Sequence, residues 1–388
     1  MNNRKNTLPA EADVVIIGGG VMGVSTAYHL ASAGVERVVL VEKDTLGEGS
    51  TARAAGGIRA VFSDEINIAL GRYSLDTFER FEQEFDQSID LHQVGYLFLL
   101  DNDDHVETFT RNAELQQAMG VDSRMISAEE AQRLSPLIDT AGVRAALWSP
   151  RAGHCTPESV VQGYARRARA AGVTIVTGVA ATGISTEGQE IRKVHTSAGA
   201  IATSSVICAA GPWAKDVGAW AGVSLPVEPL RRQILITEAV PDLAPDTPFT
   251  IDFSSSLYFH NEGPGLLIGM SEDKDSWSFD TSRDSGWLPS LAEAMDRRVP
   301  AVTDIGIQSG WAGLYEMTPD HNALIGRSRT VPGFLYACGF SGHGFLMGPA
   351  VGEVMRDLYL ERDPIIDVSA LDLERFNGAD IRPELNIV

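Results

Sequence analysis

The sequence predicts an α/β fold, α+β overall, in which a parallel-sheet domain is interrupted twice by pieces of an antiparallel-sheet domain. The run Val14–Ile17 is wholly apolar and leads into a glycine-rich turn, as expected of a strand covered on both faces. Residues 225–313 alternate strand-like and turn-like segments, which is typical of antiparallel sheets. The apolar strand at 333–339 then returns to the first sheet. The chain of 388 residues is also too long for one simple core.

This division predicts a first domain from residues 10–90, 145–224 and 318–388, and a second from 91–144 and 225–317. Within the first domain we expect the segments 191–197 and 202–210 to extend the parallel sheet. We expect helices over 62–90, 103–134, 158–171 and 347–361, because apolar residues recur there at helical spacing.

The first glycine motif carries the clearest chemical signal. Gly18, Gly20 and Gly23 stand between an apolar strand and a helical segment, and Glu42 ends the next strand. In a Rossmann-like unit these glycines permit a tight turn, close approach of a diphosphate and packing of helix on sheet. A carboxylate at the position of Glu42 can accept hydrogen bonds from a ribose. The sequence therefore predicts a dinucleotide site.

Composition narrows the partners and the compartment. The formal net charge of −21 disfavours nucleic acids and anionic membrane surfaces. Cys155, Cys208 and Cys338 are odd in number and widely spaced, so we expect reduced thiols rather than disulfides. No metal-ligand spacing is evident, and no segment is long and apolar enough for a membrane span or a secretory signal. Together these features predict a cytoplasmic protein without a metal, as a monomer or small oligomer.

A second glycine-rich segment, Gly339–Gly348, lies between a strand and a helix near the end of the chain. A helix N-terminus at this point would place a partial positive charge beside a bound cofactor. Such a terminus would stabilise negative charge on that cofactor.

The two glycine segments and four further stretches resemble the D-amino-acid oxidase-like FAD oxidoreductases, nearest the branch of sarcosine oxidase and its β-subunit. The resembling stretches are VVIIGGGVMGVSTAYHL, VEKDTLGEGSTARAAGGIR, VICAAGPWA, PLRRQI, MTPDHNALIG and GFSGHGFLMGPAVGE, which span nearly the whole chain. The resemblance implies FAD as cofactor. It implies the following cofactor-binding residues: Gly18, Gly20, Val21, Met22, Gly23, Glu42, Lys43, Ser50, Thr51, Ala55, Gly56, Gly57, Val179, Ala210, Gly211, Trp213, Gly313, Gly342, His343, Gly344, Phe345 and Leu346.

Four positions depart from the pattern of this family. Relatives that attach FAD covalently use a cysteine or a histidine where this chain has Gly313 and Arg53, so we expect non-covalent FAD. Monomeric sarcosine oxidases place a substrate-binding lysine and an oxygen-activating lysine where this chain has Leu346 and Leu267. Both departures weigh against sarcosine as the substrate and oxygen as the acceptor.

The substrate site needs a group that binds a carboxylate, and arginine suits this task because its planar guanidinium pairs with both oxygens. Arg59 is the first candidate because it directly follows the flavin-side loop, and Arg231 and Arg232 come next. Tyr258 and His260 are expected on a strand facing the flavin, and His343 in the second glycine segment. The predicted catalytic residues are Arg59, Arg232, Tyr258, His260 and His343.

The resemblance implies an FAD-dependent oxidase or dehydrogenase of a small secondary amine, such as sarcosine, iminodiacetate, an imino acid or an opine. Molecular oxygen or another acceptor would take up the electrons. Two alternatives stay open. The same fold could oxidise a 2-hydroxy acid, or the chain could be the flavin subunit of a heteromeric dehydrogenase or a flavin-binding assembly factor.

Overall fold

The computed structural model describes residues 8–378 and 381–386. The helices are α1 (Val21–Ser32), α2 (Glu65–Phe85), α3 (Asp103–Ala118), α4 (Ala128–Leu134), α5 (Pro157–Ala170), α6 (Ala214–Trp220), α7 (Leu288–Arg298) and α8 (Gly344–Tyr359). The strands are β1 (Val14–Ile17), β2 (Val38–Glu42), β3 (Gly57–Ile58), β4 (Tyr96–Leu100), β5 (Arg124–Ile126), β6 (Ala145–Ser149), β7 (Gly153–His154), β8 (Thr174–Thr177), β9 (Ala181–Glu187), β10 (Glu190–Thr196), β11 (Gly199–Ala202), β12 (Val206–Cys208), β13 (Glu228–Thr237), β14 (Phe249–Asp252), β15 (Leu257–Glu262), β16 (Gly265–Met270), β17 (Ile307–Met317), β18 (Leu324–Arg327) and β19 (Phe334–Cys338).

A six-stranded sheet in the order β18-β19-β12-β1-β2-β8 forms the predicted parallel domain. All neighbours are parallel except β18, which is an antiparallel edge strand. Val14 and Ile16 point to a core shared with α1, whereas Val15 and Ile17 point to a second core on the other face. Burial on both faces explains why β1 is apolar at every position.

The segment predicted at 191–197 does not join this sheet. β10 instead pairs with β9 and β11 in a separate three-stranded antiparallel sheet that covers one face of the parallel sheet. Ile191 and Val194 are buried on the side of the second core, while Arg192 and Lys193 are exposed. A strand with one covered face is typical of an antiparallel sheet, so the prediction was wrong for this segment.

The second large sheet has the order β17-β13-β16-β15-β14-β4-β6-β5. It is antiparallel apart from the parallel pair β4 and β14. β6 belongs here, although residues 145–149 were assigned to the first domain, because its backbone pairs with β4 and β5. We therefore propose that the boundary between the domains lies after Ser149, and otherwise retain the predicted division.

The two large sheets meet where β17 ends and the chain returns to the parallel sheet. The Ser341 N–H donates to the Glu316 carbonyl over 3.0 Å, and the Gly339 N–H donates to the Glu316 carboxylate over 2.9 Å. These bonds join β17 to the loop that precedes α8. In the part of the chain that the structure describes, no helix combines the length and apolar character needed to cross a membrane.

Candidate active site

A cavity of about 370 Å³ opens between the carboxyl ends of β1 and β2 and the eight-stranded sheet. This edge of an open α/β sheet is where such folds bind nucleotides. Most of the predicted cofactor residues line this cavity: Gly18, Gly20, Val21, Met22, Glu42, Lys43, Ser50, Thr51, Ala210, Gly211, Trp213, Gly313, Gly342, Gly344 and Phe345.

The glycine turn after β1 has two positions that admit no side chain. Gly18 has φ +113°, and a Cβ built there would lie 2.2 Å from the Ala209 carbonyl oxygen. A Cβ on Gly23 would lie 1.9 Å from the Gly18 carbonyl oxygen, so Gly23 packs α1 against the turn and does not line the cavity. Gly20 itself gives α1 no side-chain cap, and the Val21 N–H donates to the Thr51 hydroxyl over 3.2 Å, so the amides that follow and the partial positive charge of the helix face the cavity.

At the far end of β2, the Glu42 carboxylate accepts hydrogen bonds from the Gly19 N–H over 2.6 Å and the Asp44 N–H over 2.9 Å. The Lys43 ammonium lies 3.4 Å from the centroid of the Trp213 ring. Val179 is not among the lining residues, although the adjacent Ala180 and Ala181 are. The Val179 N–H donates to the Glu42 carbonyl over 2.9 Å, so this residue fixes the end of β2.

The N-terminus of α8 reaches the same cavity from the opposite direction. The helix begins at Gly344, and no side chain caps its first turn. Gly342, Gly344 and Phe345 line the cavity beside it. As with α1, free N–H groups and the positive end of the helix dipole face the enclosed volume.

These residues fit FAD. The N-termini of α1 and α8 suit a diphosphate and an electron-rich ring, and the glycine turn lets backbone amides approach closely. The volume lies in the range of ligand pockets, and the cavity runs from Glu42 to the start of α8.

A smaller cavity of about 80 Å³ adjoins the first. The two share the lining residues Ala54, Tyr258, Tyr315, Gly342 and Phe345. The predicted cofactor residues Ala55, Gly56, Gly57, His343 and Leu346 line this smaller cavity rather than the larger one. The two cavities are therefore adjacent, and molecules bound in them would lie next to the same five residues.

Arg59 lines the smaller cavity and is only 6% exposed. Its guanidinium donates through Nη1 to the Val61 carbonyl and through Nη2 to the Asn386 carbonyl, the latter over 2.6 Å. The guanidinium lies 4.1 Å from the centroid of the Phe62 ring. Within residues 8–378 and 381–386 no carboxylate oxygen lies within 4.0 Å of it. Burial lowers the pKa of Arg59, yet arginine stays charged in proteins, so a cation without a direct ion pair among the described residues lines the cavity.

Three tyrosines, Tyr96, Tyr258 and Tyr315, complete the wall around Arg59. Tyr96 stacks on Phe249 with ring centroids 4.3 Å apart. Burial raises the pKa of each phenol, so all three remain neutral at physiological pH. Neutral hydroxyls can donate and accept hydrogen bonds but make poor bases.

His343 precedes the first residue of α8 and lines the smaller cavity. It is 4% exposed, and neither ring nitrogen has a hydrogen-bond partner among the described residues. Burial, followed by the nearby positive charge of Arg59, lowers the pKa of His343 to about 3. The imidazole is therefore neutral, with a donor and an acceptor to offer to a ligand.

The remaining predicted residues lie further from this cavity. Arg232 lines the larger cavity and donates to the Asp275 carboxylate over 3.0 Å. Arg231 lines neither and pairs with the Glu272 carboxylate at 2.8 Å, so it stabilises the fold. His260 also lines neither, and its ring nitrogens lie 2.9 Å and 2.8 Å from the carbonyls of Ala55 and Asn261. The predicted catalytic role of His260 therefore has no support from its position, and the imidazole instead holds the flavin-side loop.

Sequence reasoning missed Tyr96, Tyr315 and Glu316. Tyr96 begins an apolar strand and reads as core, whereas Tyr315 and Glu316 lie only two and three residues beyond Gly313, which was singled out. The Glu316 side chain faces the larger cavity, and burial raises its pKa to about 7. The closeness of Tyr315 and Glu316 to Gly313 was the sequence feature that could have indicated them as site residues.

Comparison with known proteins identifies several relatives. The chain is 30% identical over 389 residues to mitochondrial sarcosine dehydrogenase of Homo sapiens, covering 95% of this chain but 42% of that protein. It is 30% identical to FAD-dependent oxidoreductase domain-containing protein 1 of Bos taurus, covering 91% and 82% of the two chains. The crystal structure of L-proline dehydrogenase from P. horikoshii matches with a TM-score of 0.90 and 35% identity, covering 97% of this chain and 100% of that one.

The first of these relatives is more than twice as long as this chain, which spans less than half of it. The family model described as FAD dependent oxidoreductase, DAO, matches residues 13–358. That range includes both cavities and all the strands of both large sheets. The chain belongs to the DAO family of FAD-dependent oxidoreductases.

Proposed function

We propose that this chain oxidises the carbon–nitrogen bond of a small secondary amine that carries a carboxylate, such as an N-substituted glycine or an imino acid. The product is an imine, which water converts to an aldehyde or oxo acid and an amine. One observation carries the proposal: the buried guanidinium of Arg59 faces an 80 Å³ cavity next to the cofactor cavity, with no carboxylate partner among the described residues.

The relatives support this class of substrate. They include proteins named sarcosine dehydrogenase, dimethylglycine dehydrogenase, 4-methylaminobutanoate oxidase and L-proline dehydrogenase. Each named compound combines a carboxylate with a substituted nitrogen. Arg59 supplies the group that would bind the carboxylate, and the small volume limits the remainder of the molecule.

FAD, when bound, takes up two electrons and the hydrogen from the carbon next to nitrogen. The residues of the chain prepare the substrate for that step. Arg59 binds the carboxylate, and its charge also lowers the pKa of the substrate ammonium, which favours the neutral amine. Tyr258 and Tyr315, shared by the two cavities, orient the reacting carbon toward the larger one and exclude water from it.

The other predicted residues have different roles in this proposal. His343 offers a hydrogen bond to the substrate or to FAD from its neutral ring. Arg232 adds positive charge to the wall of the larger cavity, and His260 acts only by holding Ala55. The predicted FAD residues keep their roles, with Gly23 and Val179 contributing through the backbone around them.

We further propose that FAD is bound non-covalently. Gly313 and Arg53, the two positions where relatives carry attachment residues, face each other: a Cβ on Gly313 would lie 2.9 Å from the Arg53 Cβ. Neither residue has a thiol or an imidazole. After acid precipitation of the holoprotein, the yellow colour should therefore stay in the supernatant, and colour in the pellet would contradict the proposal.

The electron acceptor is tested separately from the substrate. Leu267, where monomeric sarcosine oxidases carry the oxygen-activating lysine, is an apolar residue that is 3% exposed in the core, so this position supplies no cation for oxygen. We therefore propose an acceptor other than oxygen. With a reducing substrate, activity should be high with an artificial electron acceptor and slow with oxygen alone, and fast oxygen consumption would contradict this.

The decisive experiment for the substrate is anaerobic bleaching of the bound flavin by a matched panel. The panel pairs sarcosine with glycolate and L-proline with 2-hydroxybutanoate, so that amine and hydroxy acid are compared at similar size. We expect bleaching by amines only. Bleaching by the hydroxy acids would support the alternative reaction, and bleaching by none would favour a subunit that needs a partner or a protein without this activity.

A further inference from the structure

The segment 381–386 packs beside the smaller cavity although it lies more than 320 residues from Arg59 in sequence. The Asn386 carbonyl accepts a hydrogen bond from Arg59 Nη2 over 2.6 Å. Asn386 is fully buried, so this bond is shielded from water. One of the two carbonyls that hold the guanidinium therefore comes from this remote segment.

Glu384 anchors the segment to the beginning of α2. It is 1% exposed, and its carboxylate accepts bonds from the Ser63 N–H at 2.9 Å, the Ser63 hydroxyl at 2.7 Å and Asn67 Nδ2 at 2.9 Å. Hydrogen bonds to an ionised group are stronger than those between neutral groups. Removing the charge would leave buried donors poorly paired, which is costly.

The same carboxylate also sets the position of the Asn386 backbone. The Asn386 N–H donates to Glu384 Oε1 over 2.9 Å, and Asn112 Nδ2 donates to Asn386 Oδ1 over 3.0 Å. Asn386 is thus fixed on both its backbone and side-chain faces. Its carbonyl can then hold Arg59 in one orientation.

This arrangement keeps the charge of Arg59 available. The groups that orient the guanidinium are neutral carbonyls. The nearby acid Glu384 accepts hydrogen bonds from Ser63, Asn67 and Asn386 rather than from Arg59. A direct ion pair would have occupied the donors that a ligand carboxylate needs. Arg59 is therefore oriented without a direct ion pair to any described carboxylate.

We propose that the segment 381–386 is a positioning element of the substrate site, in which Glu384 holds Asn386 so that its carbonyl orients Arg59 toward a ligand carboxylate. The inference rests on the proposed function of Arg59. Glu384 is not a catalytic residue, because it acts through Asn386 and Arg59. Its removal should weaken recognition of the carboxylate while leaving FAD in place.

The test titrates the FAD-loaded protein with pyrrole-2-carboxylate and follows the change in the flavin absorption spectrum. In Glu384→Gln the amide cannot accept all the bonds of the carboxylate, and we expect the dissociation constant to rise on the order of tenfold. Glu65→Gln, an exposed acid at the start of the same helix, should leave it unchanged. In an Arg59→Ala background, Glu384→Gln should have no further effect on binding, which a merely structural role would not predict.

Asn112→Ala provides a second variant that leaves the Glu384 carboxylate intact. Because it removes only the side-chain bond to Asn386, we expect a rise of about threefold. If wild type binds pyrrole-2-carboxylate and both variants bind it equally well with full FAD content, the inference is overturned and the proposed function stands. If wild type itself does not bind this carboxylate, the proposed function falls and the inference falls with it.

Discussion

The two adjoining cavities are built from different kinds of groups. In the larger one, the groups that suit the cofactor are backbone groups, from the glycine turn after β1 and the N-termini of α1 and α8. The smaller one is formed by side chains from distant parts of the chain, including Arg59, Tyr96, Tyr258, Tyr315 and His343. A backbone site can hold the same cofactor throughout a family, whereas a side-chain site can change its ligand by single substitutions.

The comparison predicts that substitutions in the larger cavity abolish cofactor binding. In Gly20→Val a side chain would enter the space beside Thr51, because even a Cβ at this position lies 3.0 Å from the Thr51 hydroxyl. Since Gly20 is the N-cap residue of α1, the side chain would also keep a diphosphate from the helix amides. We expect at least a hundredfold loss of FAD affinity (roughly 3 kcal/mol or more), measured by flavin fluorescence in titrations of the FAD-free protein.

Gly183→Val is the matched control, since a Cβ there makes only an ordinary contact of 3.8 Å with His195, on the separate three-stranded sheet. It should bind FAD normally. Retention of FAD by Gly20→Val at wild-type affinity would show that the glycine turn does not hold the cofactor.

Substitutions in the smaller cavity should spare FAD and impair the substrate. Arg59→Ala removes the only cation lining this cavity within the described chain. We expect kcat/KM for a carboxylate substrate to fall by a factor that corresponds to roughly 2–5 kcal/mol of lost transition-state stabilisation. Steady-state kinetics on protein with full flavin content would measure the loss. The exposed Arg124→Ala serves as control, and wild-type kcat/KM in Arg59→Ala would contradict the role of the smaller cavity in binding the substrate.

The same difference explains what could be predicted from sequence. Gly18, Gly20, Gly23 and Glu42 fall within one strand–helix–strand unit, so local pattern was enough to place them. Arg59 was within reach because it directly follows the flavin-side loop, which comes after that unit. Most of the predicted cofactor residues therefore line the larger cavity.

The rest depended on contacts between residues far apart in sequence. Tyr96 belongs to a strand of five buried residues that reads only as core. The register of β13 against β17 brings Arg232 opposite Gly313, and no local pattern fixes that register. The segment 381–386 carries no motif at all, and its role follows only from the bonds of Glu384 and Asn386. In β10 a bulge between Ile191 and Lys193 interrupts the alternation of buried and exposed residues, so the sequence did not indicate which sheet it joins.

A tyrosine shared by both cavities should have an intermediate effect. Tyr258→Phe removes one hydroxyl from the common wall and keeps the ring that packs over Gly269. We expect kcat/KM to fall by a factor that corresponds to about 1 kcal/mol of lost transition-state stabilisation, and FAD affinity to stay unchanged. Tyr359→Phe, at the end of α8 and outside both cavities, is the matched control. Equal effects of the two substitutions would argue against a role for the Tyr258 hydroxyl.

The smallest effect concerns Glu316 and the pH dependence of stability. Burial raises the pKa of Glu316 from 4.5 to about 7, so the folded chain binds a proton more tightly than the unfolded chain. The resulting stabilisation is complete below pH 4.5 and is lost as pH rises to about 7. Between these values the free energy of unfolding of wild type should fall relative to that of Glu316→Gln. Urea denaturation of the FAD-free proteins measures it, and parallel pH profiles would contradict the assignment.

The most direct test of the central claim uses two pairs of compounds, and the members of each pair differ only in the carboxylate. Anaerobic stopped-flow absorbance would follow flavin bleaching in the wild-type protein with L-proline and with pyrrolidine, and with sarcosine and dimethylamine. Because the Arg59 guanidinium is the buried cation next to the cofactor cavity, we expect fast bleaching only by the carboxylate member of a pair. Equal rates with and without the carboxylate would contradict the assignment of Arg59 as the substrate anchor.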